Sequence, residues 1–102
     1  MKTYFVYILE CSDQSFYTGI TNNLDRRLSE HNSGYDKSCY TYSRRPVSLL
    51  WRETFTDVNG AIQAEKQIKG WSRRKKLALI NGNWDDLIRF SRNYTDFGKP
   101  EE

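Results

Sequence analysis

Residues 4–31 read YFVYILECSDQSFYTGITNNLDRRLSEH, and the pattern inside that stretch decides the fold. Tyr4, Val6 and Ile8 alternate with Phe5, Tyr7 and Leu9 over residues 3–10. Apolar side chains on both faces mark a central strand buried on both sides. Ser12-Asp13-Gln14-Ser15 is turn chemistry, and Phe16 to Thr21 reads as the returning strand of a hairpin. Register then decides whether the tyrosines meet. Pairing Leu9 with Tyr17 sets Tyr7 opposite Gly19 and puts both tyrosines on one face, whereas a slip of one residue sends Tyr17 to the other. Gly19 opposite Tyr7 leaves a space that no side chain fills, which a strand interior has no other reason to tolerate. The shared face is expected.

Asn22 or Thr21 is expected to cap the next helix, with Asp25 in the first turn where the macrodipole favours negative charge. On a helical wheel Leu24 and Leu28 form its core stripe, Arg27 and His31 border that stripe one turn apart, and Arg26 points away. Asn32-Ser33-Gly34 ends it. Residues 35–46, YDKSCYTYSRRP, form a polar, aromatic and basic loop. Val47 to Phe55 is a third strand with Trp51 and Phe55 anchoring a sheet face. Asp57 caps a second helix that runs to Lys69 and stops at Gly70. Its stripe is Val58, Ala61, Ile62, Ala64 and Ile68, and Glu65 falls inside it. A carboxylate on an apolar face needs a cation, a metal or strong hydrogen bonds. Ser72 caps a short basic helix to about Ile80, which Asn81-Gly82 breaks. Asn83 caps a last helix, WDDLIRFS, and Trp71, Trp84 and Phe90 are expected to pack these two helices beneath the sheet. The fold class is therefore α/β: a small three-stranded antiparallel sheet, a hairpin plus one strand, flanked by helices. The domain is expected to span residues 1–92, with a polar tail over 93–102.

A chain of 102 residues has room for one modest core. Hydrophobic residues are 37% and aromatic residues 15%, so Tyr, Phe and Trp must supply much of that core. No apolar run approaches ~18 residues and no secretory leader pattern opens the sequence, so membrane and secretory classes are not expected. Cys11 and Cys39 have neither metal-binding nor redox spacing, and a cytoplasmic location with free thiols is the plain expectation. The net charge of +3 is small. Its distribution is more informative: Arg26, Arg27, Arg44 and Arg45, then Lys66, Lys69, Arg73, Arg74, Lys75 and Lys76 cluster as in proteins with polyanionic partners. A solvated helix face gives the same pattern.

Taken together, these residues resemble the GIY-YIG nuclease superfamily. Phe5-Val6-Tyr7 is similar to the family's first tripeptide, keeping its tyrosine, and Tyr17-Thr18-Gly19 to its second, keeping both ends. Arg27 lies at the family's usual distance after that motif and His31 follows one turn later. Glu65, in AEKQIKGWSRRKKLALI, matches the metal-binding glutamate of the later helix. That segment resembles the small single-domain bacterial branch, itself likened to the N-terminal domain of the excision-repair incision subunit. The likeness spans roughly residues 3 to 90. Tyr40 and Tyr42 compete for a further loop position of the family, and Asn81 fits its late asparagine poorly. No separate DNA-recognition domain is visible.

The resemblance implies metal-dependent endonuclease activity on DNA, of branched or damaged structure, with one divalent ion, Mg²⁺ or Mn²⁺, held by Glu65. It implies that Tyr7 is the general base, its pKa lowered by Arg27 or a metal-bound water network. Tyr17 would position the attacking water or share the proton relay. Arg27 would grip phosphate oxygens, and His31 would orient Tyr17 or touch the phosphate. Arg44, Arg45, Lys69, Arg73, Arg74 and Lys75 would track the DNA backbone with little base readout, and a protein partner could supply target specificity. Competing readings are a nucleic-acid-binding module that keeps the fold without catalysis, and an interaction domain using the 35–43 loop. Glu65 could also serve as a structural partner of Arg27.

Overall fold

A computed structural model describes residues 2–82. The expected Asn83 helix, the packing roles given to Trp84 and Phe90, and the 93–102 tail lie outside the described residues. Three strands, β1 (Tyr4–Glu10), β2 (Phe16–Thr21) and β3 (Ser48–Phe55), form one antiparallel sheet in the order β2-β1-β3. The two-sided apolar strand thus takes the centre, where both of its faces are covered. The β1–β2 register sets Leu9 opposite Tyr17 and Tyr7 opposite Gly19, as the glycine argument required. On the other side, Ile8 pairs with Trp51 and Leu9 with Leu49, so Leu50 is an extra residue in a bulge. Trp51 and Phe55 share one face, as expected, with Ile8 and Tyr4 as their partners.

Helix α1 (Leu24–Ser33) starts at Asn23, whose side chain accepts from the Arg26 backbone N–H. Neither Asn22 nor Thr21 is the cap. Thr21 acts one step earlier, its hydroxyl accepting from the Asn23 backbone N–H at 3.1 Å. Gly34 ends α1 at φ 75°, the left-handed conformation that favours glycine. Leu24 and Leu28 pack on the cluster of Tyr7, Leu9, Cys11 and Val47, so α1 covers the tyrosine face.

Helix α2 (Val58–Lys69) begins with Asp57, whose carboxylate accepts from the Gly60 N–H at 3.0 Å. Gly60 lies beside Phe55, and the register places Phe55 on the Val6/Ile8 face; α2 therefore covers that opposite face. Its buried stripe is narrower than expected. Ala61 and Ile68 are buried, whereas Val58 and Ile62 are 39% and 38% exposed. The stripe centres on 61, 64, 65 and 68, leaving the two β-branched residues at its rim. Glu65 remains within it, its side chain 13% exposed.

The described residues divide after Lys69 into two units. In the second, α3 (Arg73–Ile80) is capped by Ser72, which accepts from the Lys75 N–H, and closes at Asn81 with Gly82 at φ 69°. The Lys75 ammonium sits 4.3 Å from the centre of the Trp71 ring.

Candidate active site

The hairpin, α1 and the 35–46 loop bring one group of side chains together. Tyr7 and His31, 1% and 4% exposed, meet through Oη and Nε2 at 3.0 Å. The Tyr17 ring lies 6.3 Å from that of Tyr7 and 5.1 Å from that of His31, edge-on to the latter. Gly19 makes room for this. A Cβ there would overlap the Tyr7 hydroxyl, lie 2.5 Å from its Cζ and press the Tyr17 ring at 3.0 Å.

Arg27 enters from α1. Its guanidinium binds Glu30 at 3.1 Å and lies close enough to Tyr7 and Tyr17 to favour their ionised forms. Burial opposes the charge on Arg27, but Glu30 and the tyrosines prevail and its pKa is raised. Glu30, not Glu65, is the partner of Arg27. Glu65 instead pairs with Lys69, Nζ to Oε2 at 3.2 Å. The Lys69 charge is felt at Tyr17, which puts the end of α2 within electrostatic reach of the tyrosine group although α2 covers the other face of the sheet.

Two electrostatic expectations are corrected. Tyr7 was to be lowered by positive charge, yet its pKa is pushed up to about 12: burial is the largest cause and Tyr17 adds to it, and together they outweigh Arg27. His31 was to orient Tyr17 or reach a phosphate. It is buried, both ring nitrogens are engaged within the protein, and its hydrogen bond goes to Tyr7. Burial first and Arg27 second hold its pKa down to about 4, so at neutral pH it offers a phosphate no charge.

The loop supplies what the sequence left open or hid. Tyr40 is the tyrosine that adjoins the site: its ring stacks on Tyr17 at 6.2 Å and 21°, with Arg44 on Tyr40 at 3.9 Å. Tyr42 instead lies under Arg45. Thr41, 1% exposed, hydrogen-bonds His31 Nδ1 at 2.8 Å, and Cys39 Sγ lies 3.4 Å from the Thr41 hydroxyl. Burial would push the Cys39 thiol up, but Thr41, Arg27 and Tyr17 bring it below its ordinary value. Asn32 holds both backbone polar groups of Val47, at 2.8 and 3.2 Å, and so fixes the far end of the loop. No signal in the sequence separated Thr41 or Asn32 from other polar loop and helix-end residues.

Of the basic residues expected at DNA, Lys75 is corrected: it is 2% exposed, and burial lowers its pKa. A buried ammonium cannot track a backbone. Arg44 binds Asp13 at 3.1 Å and the Tyr40 carbonyl at 2.9 Å, and Arg45 binds the Tyr42 carbonyl at 2.8 Å, so both order the loop. Lys69 is exposed beside Glu65, and Arg73 and Arg74 are exposed in the first turn of α3.

For a divalent ion the donor set is sparse: among the described residues no group of three or more His, Cys, Asp or Glu side chains could hold a metal. A single carboxylate nevertheless suits Mg²⁺, which keeps most of its waters. Glu65 is already paired with a cation, the Lys69 ammonium at 3.2 Å.

The model of the GIY-YIG catalytic domain matches residues 3–78. The chain belongs to the GIY-YIG family. Within it the chain falls with the UPF0213 proteins, a small single-domain group. It is 51% identical over 83 residues to the UPF0213 protein of Syntrophus aciditrophicus, covering 81% of this chain and 95% of that protein. It is 44% identical over 84 residues to that of Lactiplantibacillus plantarum, covering 81% and 83%. Two solution structures are similar. One, a UPF0213 protein from Bacillus halodurans, has a TM-score of 0.52 at 42% identity, covering 78% of this chain and 83% of that one. The other, a protein from E. faecalis, has a TM-score of 0.57 at 37% identity, covering 80% and 86%. The small sheet-and-helix GIY-YIG architecture is therefore the fold of this chain. No helix among the described residues is long and apolar enough to cross a membrane.

Proposed function

We propose that the protein is a metal-dependent endonuclease that hydrolyses phosphodiester bonds in DNA. One observation carries the reading: Tyr7, Tyr17, His31 and Arg27, from three separate elements, converge over Gly19, whose missing side chain leaves the space that the Tyr7 hydroxyl takes. Arg27 offers a planar fork for phosphate oxygens, and Tyr17 orients the attacking water. Tyr7 takes that water's proton as its own hydroxyl proton passes to His31 Nε2, 3.0 Å away. Glu65 would hold a Mg²⁺ or Mn²⁺ ion after Lys69 swings aside. When bound, the ion supplies neutralisation of charge on the scissile phosphate and the leaving oxygen. Lys69, Arg73 and Arg74, with Arg44 and Arg45, give sequence-independent attraction to the backbone. Target choice then comes from DNA shape, branched or damaged, or from a protein partner. Two free thiols, Cys11 and Cys39, suit a cytoplasmic setting.

A second reading is a nucleic-acid-binding module whose site is idle. Its specific support is Tyr7, 1% exposed and with a pKa near 12, together with Glu65 neutralised by Lys69. The test is cleavage of single-stranded, duplex and branched DNA with Mg²⁺ or Mn²⁺, beside an EDTA control and the Glu65→Gln protein. Metal-dependent nicking that disappears in the variant supports the nuclease. Salt-sensitive binding with no cleavage on any substrate moves the conclusion to the binding module, and undiminished cleavage by Glu65→Gln removes Glu65 as the metal ligand.

A further inference from the structure

We propose that Thr41 is a positioning residue that locks His31 in the tautomer with its proton on Nδ1, leaving Nε2 bare to receive the Tyr7 hydroxyl proton. The inference deepens the nuclease reading and rests on it for its catalytic meaning. A neutral imidazole has one N–H and one bare nitrogen. Nδ1 faces Thr41 Oγ1 at 2.8 Å, with Cys39 Sγ farther off at 3.9 Å, and Nε2 faces Tyr7 Oη at 3.0 Å; each of these groups can donate or accept, so the histidine alone does not choose between the tautomers. The choice comes from the next atom along. The Thr41 hydroxyl has a single proton, and the geometry sends it to Cys39 Sγ at 3.4 Å. With that proton committed, Oγ1 can only accept, Nδ1 must donate, and Nε2 must accept from Tyr7. Arg27 points the same way. Its positive guanidinium favours negative character on the Tyr7 oxygen, which suits a Tyr7 proton directed at Nε2.

The chain Tyr7–His31–Thr41–Cys39 then has one direction. It explains how a tyrosine with so disfavoured a phenolate can act as a base. When water attacks phosphorus, its O–H bond breaks and the proton passes to Tyr7 Oη. The Tyr7 O–H bond breaks in turn, and that proton passes to Nε2. No free phenolate forms, the histidine becomes imidazolium, and Nδ1 keeps its proton on Thr41. Arg27 opposes that imidazolium in the free protein, and a phosphate anion bound at Arg27 offsets the opposition.

His31 is the only histidine in the chain, so its ring nitrogens can be read without ambiguity by ¹⁵N NMR of the full chain at neutral pH. The wild type is expected to show a single Nδ1–H tautomer. Thr41→Val should give a mixture or the Nε2–H form, and Thr41→Ser should restore the wild-type signal. Cys39→Ala, which frees the Thr41 hydroxyl to donate back to Nδ1, should also give a mixture, and it decides the matter if Thr41→Val fails to fold. An Nε2–H wild type overturns the proposal, as does an unchanged tautomer in Thr41→Val or, in its place, in Cys39→Ala. On a DNA substrate Thr41→Val should lower kcat about 10- to 100-fold with little change in KM, recovered in Thr41→Ser. If no DNA is cut by the wild type, the nuclease reading fails while the tautomer measurement still decides the lock.

Discussion

Each residue in the tyrosine group is set by a conflict between burial and charge, and the outcome can be titrated. His31, ordinarily near ~6.5, is held to about 4 by burial and then by Arg27. As pH falls from ~6.5, the unfolded chain takes up the proton before the folded one does. The His31 contribution to stability is therefore full above ~6.5, declines from there to about 4 and is flat below. Urea unfolding at pH 7 and pH 4.5 should show a larger loss for wild type than for His31→Gln; equal losses would count against a neutral buried histidine. Gly19→Ala makes a steric version of the same test. The new Cβ meets the Tyr7 hydroxyl, and overpacking of this kind costs about 1–3 kcal/mol. Denaturant midpoints should fall accordingly, and the Tyr7–His31 contact should break.

At the scale of elements, what the sequence showed and what it hid follow from distance along the chain. The hairpin was legible because register, face and Gly19 are all local facts: a one-residue slip inverts a strand, and only one register explains the glycine. The caps at Asp57 and Ser72 were legible for the same reason, and the α1 cap was misplaced by one residue because Thr21 shares the turn. The site's supporting contacts were not legible. Thr41 meets His31 ten residues away, and Asn32 meets Val47 fifteen away; before the loop closes, neither differs from an ordinary polar residue. Asn32→Ala strips both polar groups of Val47, a residue 6% exposed, at a cost of about 1–3 kcal/mol. Amide exchange should accelerate at Val47 and through 35–46 while β1 and β2 keep their protection; uniform acceleration would show that the loop has no stability of its own.

For the whole molecule, the basic residues divide by exposure. The sequence showed a cluster, and only burial separates Lys75, 2% exposed, from Lys69, Arg73 and Arg74 at the surface. The affinity for DNA should fall with salt, and Arg73→Gln or Arg74→Gln should each reduce the log–log slope by ~1. Lys75→Gln should leave that slope unchanged. A slope altered by Lys75→Gln, or indifferent to both arginines, would reverse the division.

The central claim is that the fold assembles Tyr7, held by His31 and faced by Arg27, as a working base. Tyr7→Phe tests it most directly, because phenylalanine keeps the ring that fills the core and removes only the hydroxyl. The measurement is the single-turnover cleavage rate with Mg²⁺ on whichever DNA the wild type cuts, taken beside the affinity for that DNA. The account predicts a rate lower by about 10²-fold or more, unchanged affinity, and a folded protein. Cleavage by Tyr7→Phe at the wild-type rate would contradict it.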